Sequence, residues 1–436
     1  MKQIICGTIM AVNGLAVTIR FTNDRPDPND LLTVEGRDDI VLVWREYLER
    51  DLGRYINITG ANGLAAQQRA ALTGKQLNAP SGKAILGRVF NALGGTIDGE
   101  PAVKDAVEVP IYTNQHSTEY RPLSVDILET GIKVIDFFAP FVKGRKIGII
   151  GGAGVGKTVL TTELIHNICA AKTATTYFVG IGERIREGHE LYETLRSRGL
   201  LENTVMFLGQ MNENAGMRAL VGEAAAASAE YMRDAAETDV LFFVDNIYRY
   251  VQAHNELSTM LSEIPSEGGY QPAMFSQLHR LEERLNSSPK GSITSVQSIY
   301  IPADDLSDPA VVEISQQLDS VIVLSRKVFE SGIFPAVDLL ATRSSLLSPE
   351  FVGERHYVLV RQVQQILERH HSLQSIISII GESELSISDR EAYDKAQRLI
   401  EFFAQPMFVT EDLSGIKGKN FTREQTLAGV EEILAG

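Results

Sequence analysis

The chain predicts an α/β protein in three parts: a small antiparallel β-barrel over residues 1–78, a doubly wound parallel sheet over 79–350, and a helical domain over 351–436. Three observations lead there. Short strand-like runs separated by Asp, Asn, Pro and Gly fill the first part. In the second, apolar runs alternate with helical patterns at the spacing of a sheet covered on both faces. Beyond about residue 350 the β signal fades and helical periodicity takes over.

Within the first part, Val12, Ala16-Val17, Ile19 and Phe21 mark two strands of the Ile9 to Phe21 segment around an Asn13-Gly14 turn. Leu32 to Val34, Ile40 to Val43 and Tyr55 to Ile58 supply further strands. The central strands are Lys146 to Ile150, Thr175 to Val179, Thr204 to Leu208 and Val240 to Val244. Helices follow the first three of them, from Lys157, near Arg186 to Arg198, and from Gly216 to Arg233. The last part reads as helices over Tyr357 to His370, Leu373 to Ile380 and Arg390 to Phe403. No low-complexity tract or solenoid repeat interrupts the pattern.

A chain of 436 residues is too long for one compact core and implies two or three domains. With 41 basic against 56 acidic residues, the net charge of −15 opposes a nucleic-acid surface and direct contact with an anionic membrane. Cys6 and Cys169 lie far apart without metal-ligand spacing, so neither a disulfide framework nor a zinc site is expected. Ile4 to Ile19 is apolar after Lys2, but Gly7, Asn13 and Gly14 break the run, which favours strands over a signal peptide. No stretch approaches the ~20 apolar residues of a spanning helix.

The chemistry begins at Gly151-Gly152-Ala153-Gly154-Val155-Gly156-Lys157-Thr158, placed directly after the apolar run Ile147 to Ile150 and before the helix opening with Val159. A strand that feeds a glycine-rich turn and then a helix presents backbone N–H groups and a helix N-terminus to one anion, which is a phosphate-binding loop. Lys157 would reach the outer phosphates of a nucleotide and Thr158 would hold Mg²⁺. The plainer alternative, a glycine-rich surface turn, does not explain the flanking strand and helix.

Val240-Leu241-Phe242-Phe243-Val244-Asp245 is an apolar strand ending in a carboxylate, the Walker B arrangement, in which Asp245 serves the Mg²⁺ shell. Gly182-Glu183-Arg184-Ile185-Arg186-Glu187-Gly188 follows another strand, and Glu183 there could orient or deprotonate water in line with a γ-phosphate. It could equally be an acid serving a helix dipole. Arg184 and Arg249 could neutralise phosphate charge or simply pair with nearby acids.

These motifs, in this order with Gly209-Gln210-Met211-Asn212-Glu213, Phe243 to Arg249, Gly291 to Gln297, Pro302 to Leu306, Pro335-Ala336-Val337-Asp338, His356-Tyr357 and Glu129 to Asp136, resemble the catalytic beta subunit of F-type ATP synthases. The similarity covers nearly the whole chain from about residue 80. It implies a P-loop (RecA-like) central domain, ATP and ADP as substrates, and Mg²⁺ held by Thr158 and Asp245, partly through water. It further implies that Lys157 and Arg184 bind the γ-phosphate, that Glu183 positions the attacking water, and that Arg249 lies near the phosphate and Glu183. The family's noncatalytic alpha subunit has a glutamine where this chain has Glu183, so the resemblance implies a catalytic chain. The implied partners are alpha subunits alternating with it in a hexameric ring and donating an arginine finger, a gamma-type central shaft, and the remaining F-type subunits. Its implied place is peripheral, on the cytoplasmic face of the cell membrane, with membrane contact only through partners and no nucleic acid.

The match departs in places. The family lines its adenine pocket with three aromatics, and the matching positions here are Phe334, Met407 and Leu413, with Phe408 adjacent as a possible substitute. Looser adenine binding is expected, because a thioether and an isobutyl group stack less well than rings. The shaft-facing segment reads Ser383-Glu384-Leu385-Ser386-Ile387-Ser388-Asp389 with fewer carboxylates than usual, and a solvated loop is the alternative. Ser266-Glu267-Gly268-Gly269-Tyr270 carries an added charge and an extra glycine, and the C-terminal domain is shorter than usual for the family. Two other functions stay open on the sequence: a related hexameric ATPase with another task, such as protein secretion, and a noncatalytic nucleotide-binding ring subunit.

Overall fold

A computed structural model shows a closed antiparallel barrel, a central mostly parallel sheet and C-terminal helices. It describes residues 4–22, 24–113, 126–169, 174–261, 269–270, 272–302, 305–380 and 385–435. The chain divides into two compact units, one of residues 1–121, 174–293 and 312–314, the other of residues 122–173, 294–311 and 315–436.

The first unit opens with the barrel. Its strands are β1 (Ile4–Asn13), β2 (Ala16–Phe21), β3 (Asp30–Val34), β4 (Arg37–Glu49), β5 (Leu52–Asn57) and β6 (Arg69–Gln76), closed in the order β1-β2-β5-β4-β3-β6. Closure leaves no free edge, so a sheet this small needs no covering layer to satisfy its backbone. Ile9, Val17, Ile19, Leu32, Ile40, Leu42 and Tyr55 fill the interior. The first hairpin turns on Gly14-Leu15, one residue later than expected, with Gly14 at φ +58. Strand β6 was invisible in the sequence because Ala70, which it turns into the barrel core, and its neighbour Ala71 are both fully buried but too small to raise an apolar signal.

The rest of this unit is α/β. Strands Val240–Asp245, Thr175–Glu183, Thr204–Gln210 and Val89–Phe90 run parallel in that order. The helix Ala215–Asp234 packs against them through an alanine-rich face, and Asn214 caps it by accepting the Met217 N–H at 3.1 Å. Beneath it lies a buried ion triad: Arg284, 3% exposed at its side chain, reaches Glu223 at 2.9 Å and Glu230 at 2.6 Å. Tyr250 donates to the other Glu223 oxygen at 2.7 Å, so each charge in the triad is met by an opposite charge or a donor.

The second unit holds strands Lys146–Gly151, Ile293–Tyr300 and Ser320–Val323 in parallel, with Arg343–Ser344 antiparallel at one edge. Its C-terminal helices are Glu354–Ile380, Ile387–Phe403 and Arg423–Ala435. The two segments expected over 357–380 form one uninterrupted helix, and the next starts at Ile387 because Ser386 caps it by accepting the Asp389 N–H. Phe137, Phe138 and Phe403 make the core, with ring centroids 4.9 to 5.1 Å apart. The buried His356 donates from Nε2 to the Phe137 carbonyl at 2.8 Å and accepts from Arg423 at Nδ1. Among the described residues no helix is long and apolar enough to cross a membrane.

Replacing Arg284 by Met removes the cation from the buried Glu223 and the mostly buried Glu230, and should cost about 3–5 kcal/mol in urea unfolding; a loss under about 1 kcal/mol would show that the triad is not buried as described. Burial pushes His356 down to about 4, with Arg423 adding to the shift against the Phe137 hydrogen bond. The unfolded imidazole takes its proton at about 6.5, so its contribution to stability is whole above that pH and is lost as pH falls from about 6.5 to 4. Stability curves measured over this window should be flatter for His356→Gln than for the wild type.

Candidate functional site

The phosphate loop lies in the second unit. Strand Lys146–Gly151 ends at Gly151, and the helix Lys157–Cys169 begins at Lys157, leaving a five-residue connection between them. Gly154 and Gly156 adopt φ +73 and +97, a region that L side chains rarely enter, and this lets the chain curl without Cβ strain. A Cβ on Gly151 would meet Val155 at 2.8 Å and Leu324 at 3.0 Å, so the strand end can pack there only without a side chain. Lys157 curls over the loop and donates from Nζ to the carbonyls of Gly151, at 2.6 Å, and Gly152. Its ammonium lies 5.4 Å from the centre of the Tyr300 ring. Thr158 is exposed in the first helical turn. Sequence reasoning missed Arg326, which donates to the Ala153 carbonyl at 3.0 Å; its only signal was a cation just beyond the strand Ser320–Val323.

Val155, Gly156, Val159 and Leu160 also line a cavity of about 500 Å³, closed by Phe334, Pro335, Ala336, Met407, Thr410 and Ile416. The volume is that of a small-molecule site. Phe334 is 42% exposed and stands edge-on to Phe329, with centroids 5.4 Å apart. Met407 is buried and lines the cavity. Phe408 does not substitute for it, because its ring turns away onto His166 at 5.1 Å. The backbone of Leu413 lies in the short helix Glu411–Ser414, and its side chain lies outside the described residues. Gln405 contributes shape only: its carboxamide is spent on the Lys133 N–H and on the carbonyls of Gly131 and Lys419. The hydroxyls of Thr410 and Ser414 likewise donate to local carbonyls. The cavity therefore presents mainly apolar walls.

The carboxylates lie in the first unit. Strands Thr175–Glu183 and Val240–Asp245 are adjacent and parallel, with Gly180 paired to Asp245, so Glu183 and Asp245 emerge at the same carboxyl edge. Burial raises the Glu183 carboxyl well above its ordinary range, the Asp245 charge raises it further, and Arg249 opposes them. Gly182, at φ +67, gives the Arg249 stem room to cross: a Cβ there would meet Arg249 carbons at 3.2 to 3.4 Å. Asn246 caps the following helix by accepting the Tyr248 N–H, which fixes the direction in which Arg249 leaves the strand end. Arg184 is 69% exposed at its side chain and lies 3.8 Å from Glu187. Among the described residues no cluster of three His, Cys, Asp or Glu could grip a metal unaided. Mg²⁺ bound through one or two side chains, water and phosphate oxygens needs none; the Thr158 hydroxyl of the second unit and the Asp245 carboxylate of the first are each oxygen donors of the kind that ion takes.

The segment Ser383 to Asp389, expected from the resemblance to face a shaft, is described only from Leu385; Ser383 and Glu384 lie outside the described residues, as do Ser266 to Gly268. Ile387, 81% exposed, and Asp389, bound to Arg369 at 2.5 Å, open a helix there.

A strand, a positive-φ glycine turn and a helix N-terminus opening on an apolar cavity define a P-loop nucleotide-binding protein. Comparison with known proteins narrows the class. Residues 131–344 match the ATP synthase alpha/beta family, nucleotide-binding domain, and residues 347–417 match the C-terminal domain of V and A type ATP synthase. The chain is 45% identical over 418 residues to the ATP synthase subunit beta of Acaryochloris marina (strain MBIC 11017), covering 96% of this chain and 91% of that protein. The chain belongs to the ATP synthase alpha/beta family and is of its beta type.

Restoring a ring by Met407→Phe should tighten ATP binding about fivefold, the equivalent of ~1 kcal/mol of stacking. Calorimetric titration of both proteins measures this, and equal affinities would mean that the thioether already serves as well as an aromatic face.

Proposed function

We propose that this chain is the catalytic beta subunit of an F-type rotary ATP synthase, making ATP from ADP and phosphate, or hydrolysing it, as a central shaft turns with transmembrane H⁺ or Na⁺ flow. One observation carries the reading: the phosphate loop opens directly into a base-sized apolar cavity, so one wall offers donors to phosphates and stacking surface to a base. Lys157 takes the γ-phosphate and the N–H groups of residues 151–159 surround the phosphates. Phe334, Met407 and Leu413 hold the base. Thr158 and Asp245 hold Mg²⁺, which supplies charge neutralisation on the phosphates. Glu183 orients the water, and Arg184 and Arg249 meet phosphate charge. The 45% identity over nearly the full chain to a protein named as an ATP synthase beta subunit supports these roles.

The proposed partners are alpha subunits in an alternating ring, a gamma-type shaft and the other F-type subunits, with the complex on the cytoplasmic face of the cell membrane. We also propose three domains, 1–78, 79–350 and 351–436; the last barrel strand ends at Gln76, close to the first boundary. The match of residues 347–417 to a V and A type C-terminal domain favours a second reading, a V/A-type rotary motor. The subunits that co-purify with the chain separate the two.

In the reconstituted ring, Glu183→Gln should lower ATP hydrolysis by at least about 10²-fold while nucleotide binding persists. Since burial and Asp245 raise the Glu183 carboxyl, and the water-orienting form is the ionised one, wild-type turnover should decline on the acid side of its pH profile. Hydrolysis that survives the substitution removes Glu183 from the chemistry.

A further inference from the structure

We infer that Glu163 is a positioning residue for the base of the nucleotide, a clamp that holds the base-binding loop against the phosphate-loop helix. The inference rests on the nucleotide reading above and adds a residue that it does not use.

Glu163 lies on the helix Lys157–Cys169 and is fully buried. A buried carboxylate is costly unless its oxygens are satisfied, and here both are. Oε1 accepts the backbone N–H of Phe408 at 3.0 Å, and Oε2 accepts that of Val409 at 2.9 Å. These two N–H groups begin the helical turn Phe408–Thr410, where backbone donors have no partner within the turn itself. A helix distant in sequence thus supplies a two-pronged cap.

The consequence for binding follows from what flanks each end of the clamp. On the helix, Val159 and Leu160 precede Glu163 by four and three residues, so they share its face, and both line the cavity. On the loop, Met407 and Thr410 bracket the two clamped peptides, and both line the cavity from the other side. The separation of these walls is the slot into which a base must fit. Lys157 opens the same helix, so one rigid element carries both the phosphate contact and the clamp. The Phe408 ring, packed on His166 of that helix, supports the same spacing from below.

Glu163→Gln keeps size and shape but turns one acceptor into an amide donor facing a backbone N–H, so one prong is lost. Titrating the full-length wild type and variant with ATP and separately with pyrophosphate isolates the effect, because pyrophosphate engages the loop and has no base. We expect ATP affinity to fall about tenfold in the variant and pyrophosphate affinity to change less than twofold. Glu163→Asp, which retains both oxygens on a shorter stem, should fall between wild type and Gln for ATP. In the assembled ring KM for ATP should rise while kcat stays within about twofold. Equal weakening of both ligands, or unchanged ATP affinity, overturns the clamp. A wild type that binds neither ligand overturns the nucleotide reading instead.

Discussion

The turn from residue 151 to residue 157 is the constraint on which the rest of the nucleotide site depends. Peptide N–H groups can converge on an anion only if the chain curls tighter than side chains permit, and here Gly154 and Gly156 accept positive φ to allow it. Because Gly151 has no side chain, the strand end packs directly against Val155 and Leu324, and the loop is anchored on the sheet. The helix that follows then inherits a fixed origin. Lys157, Val159, Leu160 and Glu163 are spaced along it at known intervals, so phosphate, base slot and clamp are set by one element.

A different physical principle governs the carboxylate edge. Two acids at the ends of neighbouring parallel strands repel each other, and burial strengthens that repulsion, which is why the Glu183 carboxyl is raised. The arrangement persists because Arg249 opposes it and because a helix cap at Asn246 directs Arg249 toward the strand ends. A carboxyl raised by burial and a neighbouring charge is the kind of group whose protonation responds to small changes around it.

The base slot shows how a family pattern can be kept in shape while its chemistry changes. Its polar neighbours Gln405, Thr410 and Ser414 spend their hydrogen bonds on the protein, leaving a cavity that offers mainly apolar contact. Met407 and Phe334 line it, so a polarisable thioether residue and one aromatic ring are what its walls offer a ligand. The geometry of the slot then matters more, and that geometry is under the control of the Glu163 clamp.

The sequence by itself determined the features whose physics is local. Glycines at fixed offsets, an apolar strand ending in Asp245 and alternating strand and helix periods each encode their own backbone, so the loop, the strand ends and the fold class were legible. Strand β6 was not, because Ala70 becomes core only when five other strands enclose it. Arg326 and Glu163 look like ordinary polar residues in sequence; their partners, Ala153 and the 408–409 peptides, lie 173 to 246 positions away. The outward turn of Phe408 and the exposure of Arg184 were likewise settled by packing. Tertiary structure decided these because a side chain's role depends on which distant atoms satisfy it, and no local pattern records that.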